Sequence, residues 1–472
     1  MISQQDYLAL DAHDMAAHVR SGETTAEELL DAALHRLGDV NPALNAVIAL
    51  YPGHARERVR SLSAAAPFGG VPFLIKDLFT DLAETECHNG SRFHAGTPAR
   101  DSSHVVAAYE QAGLIIIGRT HSPEFGGASV SESSIHGITR NPFDLRYTSG
   151  GSSGGAAAAV ASGIVPVAQA TDAGGSIIIP ASCCGLFGLK PSRGLVPLGP
   201  TRVEGAAGLA VQHVLSRSVR DSAALLDVAT GLRSHLHGEG ALDMTAKPVP
   251  GLRIAMMRKS VHGLSPIPEC DAALIDTARL CAALGHHVEE TVFPVEGASF
   301  AQAETALRLA SVAFTIDSLS NRIGREPSER DFEPETWRRY QAGRQISGVE
   351  ILGAREAMLA CGKVMDMFMT RYDVILTPSL ADLPPLPATV SLDRTDAAAL
   401  AANRRLTTYC GFYNWTGQPA MSVPLARSAH GLPIGLLFAG RHGKDDALLR
   451  LAFQLEEARR WPGLSDFMRE KA

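Results

Sequence analysis

Eleven of the chain's 44 glycines lie between Gly150 and Gly199, most of them inside one tract, YTSGGSSGGAAAAVASGIVPVAQATDAGGSIIIPASCCGLFGLKPSRG, residues 147–194. Closely spaced glycines let backbone N–H groups approach an anion, so a phosphate-cradling loop is the first reading of the tract. It fails at one place. A Walker loop needs Gly-Lys-Ser/Thr after four intervening residues, and GGSSGG runs directly into alanines with no lysine. A second reading takes Ser152 or Ser153 as an esterase nucleophile, since GGSSG and GSSGG both satisfy G-x-S-x-G. None of the 17 histidines is marked by its position as the partner such a serine needs, and so short a pattern carries little weight among glycines.

Around the tract, helical and strand-like patterns alternate. TTAEELLDAALHRL opens with a capping-box pattern, Thr25 followed by Glu28, and repeats apolar residues through Leu29, Leu30, Ala33 and Leu37. A helix is predicted there, stopping before Asn41-Pro42. GGVPFLIKDLF reads as a turn running into a short apolar strand that ends at Lys76. A second buried strand is predicted at 113–120, after the helical segment SSHVVAAYEQA, with others at 163–172, 252–257 and 372–380. AMSVPL and PIGLLFAG read as closing strands ahead of a last helix, DDALLRLAFQLEEARR. The alternation predicts an α/β fold with a mixed, twisted central sheet. Residues 233–250 read as a polar surface linker, and the charge-dense REPSERDFEPETWRR at 325–339 as a solvated face.

Taken together with Lys76, the tract resembles the amidase signature family. The resemblance is carried by GVPFLIKD around Lys76, by GGSSGG containing Ser152, and by TDAGGS ending at Ser176, 24 residues after Ser152. GLIIIGRTHSPEFG, ITRNPFDL, SRSVRDSAALL, YNWTGQPAMSVPL and PIGLLFAG extend it over most of the chain, least securely across 233–369. It implies a single large domain over 1–472, its sheet covered by helices on both faces. Residues 65–215 would be the core carrying the chemistry, and 233–369 a mostly helical insertion facing the substrate.

The implied activity is hydrolysis of small linear or cyclic amides, with anilides, aryl esters and carbamates as further substrates. The implied catalytic group is Ser176 as nucleophile, Ser152 as the bridge after a cis Gly151-Ser152 peptide, and Lys76 as the ultimate base, with no metal and no cofactor. Chemistry supports these roles. An alcohol must lose its proton as it attacks, so Ser176 needs a base within hydrogen-bond reach. A lysine, ordinarily near pKa 10.4, is a base only where burial favours its neutral form. Phe73, Leu74, Ile75, Leu78 and Phe79 supply an apolar setting. The N–H groups of Ala173, Gly174, Gly175 and Ser176 would converge on a tetrahedral oxyanion. Thr171 and Asp172 are read as supporting hydrogen-bonding residues, and Ser153 as orienting Lys76 or the bridge; a turn role is equally open for all three. Taken singly, Lys76 also reads as a surface lysine at a strand end, and Ser176 as a helix cap.

One position departs from the family pattern. Ile178 stands where an arginine is usual, which predicts altered support behind Ser176 or an apolar wall. Two alternatives stand beside the hydrolase: a glutaminase-type subunit of a tRNA-dependent amidotransferase, and a non-catalytic ligand-binding relative. Lys76, Ser152 and Ser176 argue against the second.

Charge settles the remaining classes. Against 43 Lys and Arg stand 50 Asp and Glu, a net charge of −7, which disfavours nucleic acid and a membrane surface as partners. Seven widely spaced cysteines without a CxxC pair indicate no disulfide framework, and adjacent Cys183 and Cys184 read as small buried residues. MISQQDYLALDAHDM lacks the basic n-region and following apolar stretch of a signal peptide, and no run approaches about 18 consecutive apolar residues. The expectation is a cytoplasmic enzyme whose partner is its small amide substrate, with room for a homodimer.

Overall fold

Eleven strands join in one mixed sheet in the computed structural model, which describes residues 2–63, 65–94, 98–200, 202–231, 249, 251–461 and 463. They are β1 (Val47–Leu50), β2 (Pro72–Lys76), β3 (Ile115–Thr120), β4 (Val167–Asp172), β5 (Phe187–Lys190), β6 (Val211–Ser216), β7 (Arg253–Met256), β8 (His287–Glu290), β9 (Val374–Pro378), β10 (Ala420–Arg427) and β11 (Pro433–Gly440). Their spatial order is β1-β3-β2-β4-β6-β5-β10-β11-β9-β7-β8. β2 runs parallel to β3 and β4, and β7 runs parallel to β8 and β9. Antiparallel pairs from β4 through β6, β5, β10 and β11 to β9 join these two groups. Every residue of β2 is buried, which explains why PFLI reads as a continuous apolar run and not an alternating one.

The helices that concern the site and its surroundings are α1 (Ala26–Leu44), α2 (Gly154–Ala161), α3 (Ile178–Cys183), α4 (Val219–Thr230), α5 (Ala301–Ile323), α6 (Pro334–Gly343), α7 (Gly348–Phe368) and α8 (Asp445–Ala458). α2 is built of glycine, alanine and one valine, and so lies close against β2, β3 and β4. α3 packs on β5, β10 and β11. α1 has its capping box: Thr25 Oγ1 accepts from Glu28 N at 3.1 Å, and Thr25 N donates to Glu28 Oε2 at 3.1 Å.

α1 runs past Asn41-Pro42 to Leu44, further than the sequence predicts. In its last turn Pro42 withholds a single N–H, leaving only the Gly38 carbonyl without its helical donor. The end is fixed instead by Asn45, at φ 52, whose N–H donates to Asn41 O at 2.7 Å. The linker read at 233–250 lies outside the described residues except for Val249. The stretch 233–369 is less uniform than its composition implies, since β7 and β8 come from it and extend the sheet. All seven cysteines are buried and free. No helix of the described residues is long and apolar enough to cross a membrane.

Candidate active site

Lys76 ends β2, fully buried, with its backbone N–H donating to Gln169 Oε1 at 2.9 Å. Its Nζ donates to Ser152 Oγ at 2.7 Å, Ser153 Oγ at 2.9 Å and Thr171 Oγ1 at 2.9 Å. Three hydroxyls and no carboxylate surround the amine. Burial therefore pushes Lys76 down from 10.5 to about 7, and the charge of Asp172 draws it only partly back up. An ammonium has three donors, whereas the neutral amine has two and a lone pair. Loss of one proton thus turns one of these contacts around, so that one hydroxyl donates to nitrogen.

Ser152 and Ser153 occupy the turn ahead of α2, and the Gly151–Ser152 peptide is cis. Ser153 Oγ also donates to Thr171 O at 3.2 Å, tying this turn to β4. Ser176 belongs to a second turn, between β4 and α3, which Asp172 organises. The buried carboxylate accepts from Gly174 N (3.1 Å) and Gly175 N (2.7 Å) through Oδ1, and from Ile177 N (2.7 Å) through Oδ2. Asn414 Nδ2 donates to the same Oδ1 at 2.9 Å and to Asp172 O at 3.1 Å. Gly175 has φ +110, and a Cβ there would lie 2.3 Å from Cys410 Sγ, so the turn admits only glycine.

This arrangement departs from the oxyanion hole read from the sequence. Of its four N–H groups, those of Gly174 and Gly175 point to Asp172, because a turn this tight needs an internal acceptor for its buried amides. The N–H groups of Ala173 and Ser176 have no acceptor among the described residues. Ser176 Oγ likewise has no hydrogen-bond partner among them, so the contact between Ser152 and Ser176 is not made in the free site. Both hydroxyls nevertheless belong to the wall of one cavity of about 1200 Å³.

That cavity is lined by Leu78, Phe125, Ile179, Phe300 and Phe412 and by residues of α5 and α6. Ile178 is not on its wall: it is fully buried in the hydrophobic core, and the neighbouring Ile179 faces the cavity instead. Phe412 lines the cavity, while the neighbouring Tyr413 and Trp415 are wholly buried.

Sequence reasoning missed several groups. Arg308 of α5 donates to Ala173 O at 3.0 Å while paired with Glu304 at 2.7 Å, so a helix distant in sequence braces the Ser176 turn. The charge run at 325–339 is not a solvated face throughout. Glu335 is only 3% exposed and pairs with Arg338 and Arg339 on the cavity wall, and Arg339 donates to Gly127 O at 2.7 Å. Lys190, in the same tract as the serines, is a second buried lysine, pushed by burial to about 8, with Nζ donating to Pro191 O at 2.9 Å.

Asp77, His88 and His136 bring potential metal-ligand atoms within 4.8 Å of one another. Both carboxylate oxygens of Asp77 already accept amides, from His88 N at 2.7 Å and Gly90 N at 3.1 Å. Asp77 therefore clamps the turn at His88–Gly90.

Residues 28–449 match the sequence profile of the family described as Amidase. The chain belongs to the amidase family. This amidase is 35% identical to the 6-aminohexanoate-cyclic-dimer hydrolase of Paenarthrobacter ureafaciens, over 96% of this chain and 95% of that one. It is 30% identical to an acylamidase of Rhodococcus erythropolis, with 98% of each chain covered. The solved structure of a 6-aminohexanoate cyclic dimer hydrolase complexed with substrate superposes with a TM-score of 0.91 at 32% identity, covering 96% of this chain and 98% of that one. The amidase is accordingly an amide-hydrolysing enzyme with an α/β fold.

Proposed function

We propose that this amidase is a serine amidohydrolase, cleaving the C–N bond of small linear or cyclic amides through an acyl-enzyme on Ser176. One observation carries the reading. A buried lysine with a pKa near neutrality is held 2.7 Å from Ser152 Oγ, and Ser152 shares a cavity wall with Ser176. In the reaction Ser176 Oγ attacks the carbonyl carbon while its proton passes to Ser152, whose own proton passes to neutral Lys76. Rotation of the Ser176 hydroxyl toward Ser152 makes the missing contact once substrate fills the cavity.

The carbonyl π pair moves to oxygen, which the free amides of Ala173 and Ser176 receive. The relay then runs backward. Lys76 returns its proton to Ser152, Ser152 protonates the leaving nitrogen, and the C–N bond breaks as the carbonyl re-forms. Water repeats the sequence on the ester and releases the acid. Thr171 and Ser153 hold the amine in place, and Asp172 holds the turn.

The apolar part of the cavity wall and the volume of the cavity suit an acyl chain or ring of modest size, with anilides, aryl esters and carbamates as further substrates. The names of the relatives support the same class. With its buried free cysteines, the enzyme fits a reducing compartment, and we assign it to the cytoplasm. The test is hydrolysis of a panel of ring lactams, linear acyl amides and nitroanilides by wild-type, Ser176→Ala and Lys76→Met proteins. Turnover in the wild type, reduced at least 10³-fold in both variants, is expected. Turnover that survives Ser176→Ala would overturn the assignment.

A further inference from the structure

α7 carries a feature that the active site does not use. Its inward face, Ala354, Met358, Cys361 and Met365, is buried, as an amphipathic helix requires. Its outward face carries a run of exposed apolar residues as well. Val349, Leu352, Leu359 and Met367 are exposed by 80%, 68%, 57% and 66%, and they share one face of one helix instead of being scattered. At 100° per residue these four side chains fall in one stripe, Val349 and Met367 standing in line five turns apart.

Arg355, paired with Glu204, and Asp366 border the stripe on one side, and two charges, Glu356 and Lys363, stand within it. They are seven residues apart, too far to pair along one helix, and neither has an ion-pair partner among the described residues. Gly353 is also part of this face. A Cβ there would meet nothing within 4 Å, so the fold of the chain itself gives no reason for glycine in a helix interior, where it costs about 1 kcal/mol relative to alanine.

We propose that this stripe is the contact face of a two-fold symmetric dimer of this chain, with α7 packed antiparallel on α7 of the second copy. A two-fold axis between Leu359 and Ala360 sets Glu356 of one copy against Lys363 of the other, twice. The same axis sets Leu352 against Met367 twice and brings the two Leu359 side chains together at the centre. A parallel, in-register pairing would put glutamate on glutamate and lysine on lysine, so the order of charges selects the antiparallel one. Gly353 lets the helices approach closely. The stripe from Val349 to Met367 is about 27 Å long at 1.5 Å per residue. No residue of α7 lines the cavity, so assembly leaves the active site untouched.

Sedimentation velocity at about 1 to 50 µM tests the proposal on wild type, Glu356→Lys, Lys363→Glu and the double exchange Glu356→Lys/Lys363→Glu, with thermal melts as the folding control. The wild type is expected to sediment as a dimer of the 50.0 kDa chain. Each single reversal should weaken association at least 100-fold, and the double exchange should restore it to within tenfold. A wild type that is monomeric throughout, single variants that remain dimeric, or a double exchange no better than the single reversals would each overturn the proposal.

Discussion

If Lys76 is the base, the pH dependence of catalysis belongs to its ammonium, and the structure sets where that dependence falls. Burial among three hydroxyls lowers the lysine from 10.5 to about 7. At 1.36 kcal/mol per unit, this shift corresponds to about 5 kcal/mol of preference for the neutral amine. The value of kcat/KM should therefore rise tenfold per pH unit below about 7 and level off above it. Stability must follow with a definite sign. Between the folded value near 7 and the unfolded value of 10.5, the unfolded chain binds a proton that the folded chain does not. Stability is therefore highest above the unfolded value, declines as pH falls toward about 7, and takes no further loss from this group below it. Lys76→Met removes the titration. Urea unfolding of both proteins should show wild type gaining about 2.3 kcal/mol relative to Lys76→Met between about pH 7 and about pH 9. A kinetic pKa near 10, or a stability difference that does not change with pH, would refute a neutral buried lysine.

Three substitutions probe the surroundings. Asp172→Asn removes the negative charge that raises Lys76 and one acceptor of the Ser176 turn; kcat should fall on the order of 10²-fold while the acidic limb of kcat/KM moves below about 7, which a pH-rate profile will show. Gly126 has φ +66, and a Cβ there would lie 2.7 Å from Leu78 Cδ2 and 3.3 Å from Ser152 Oγ. Gly126→Ala should cost about 1–2 kcal/mol in a urea titration and lower kcat with the fold retained. Ile178→Arg places an unpaired cation in the core, so a loss of about 3 kcal/mol or more is expected, read as an earlier unfolding midpoint; an unchanged midpoint would mean that a partner for the guanidinium exists there.

What the sequence could reveal about the site is what lies in contiguous motifs. Lys76, Ser152, Ser153, Thr171, Asp172 and Ser176 stand in three short segments whose residue types already imply their chemistry, and the structure brings all of them to one end of β2 and β4. The direction of the amides was not legible. Whether Gly174 N–H faces a substrate or Asp172 depends on a turn geometry that the letters DAGGS leave open. Arg308, Arg339 and Asn414 reach the site across 135, 212 and 242 residues, and no local pattern distinguishes an arginine in a helix-surface pair from one that also braces a distant carbonyl. Seven strands, β2, β3, β4, β7, β9, β10 and β11, were legible as apolar runs, whereas β1, β5, β6 and β8 were not, β1 and β8 being short and largely unburied. The end of α1 was not, because a last-turn proline costs less than the same residue at mid-helix.

The central claim is that Ser176 becomes covalently acylated with Lys76 as the base. Mass spectrometry of the protein treated with a fluorophosphonate, with wild type, Ser176→Ala and Lys76→Met in parallel, tests it most directly. The account predicts one adduct, on the peptide that contains Ser176, absent from Ser176→Ala and formed at least 10²-fold more slowly by Lys76→Met. An adduct on Ser152 or Ser153 with Ser176 unmodified, or labelling as fast without Lys76 as with it, would contradict it.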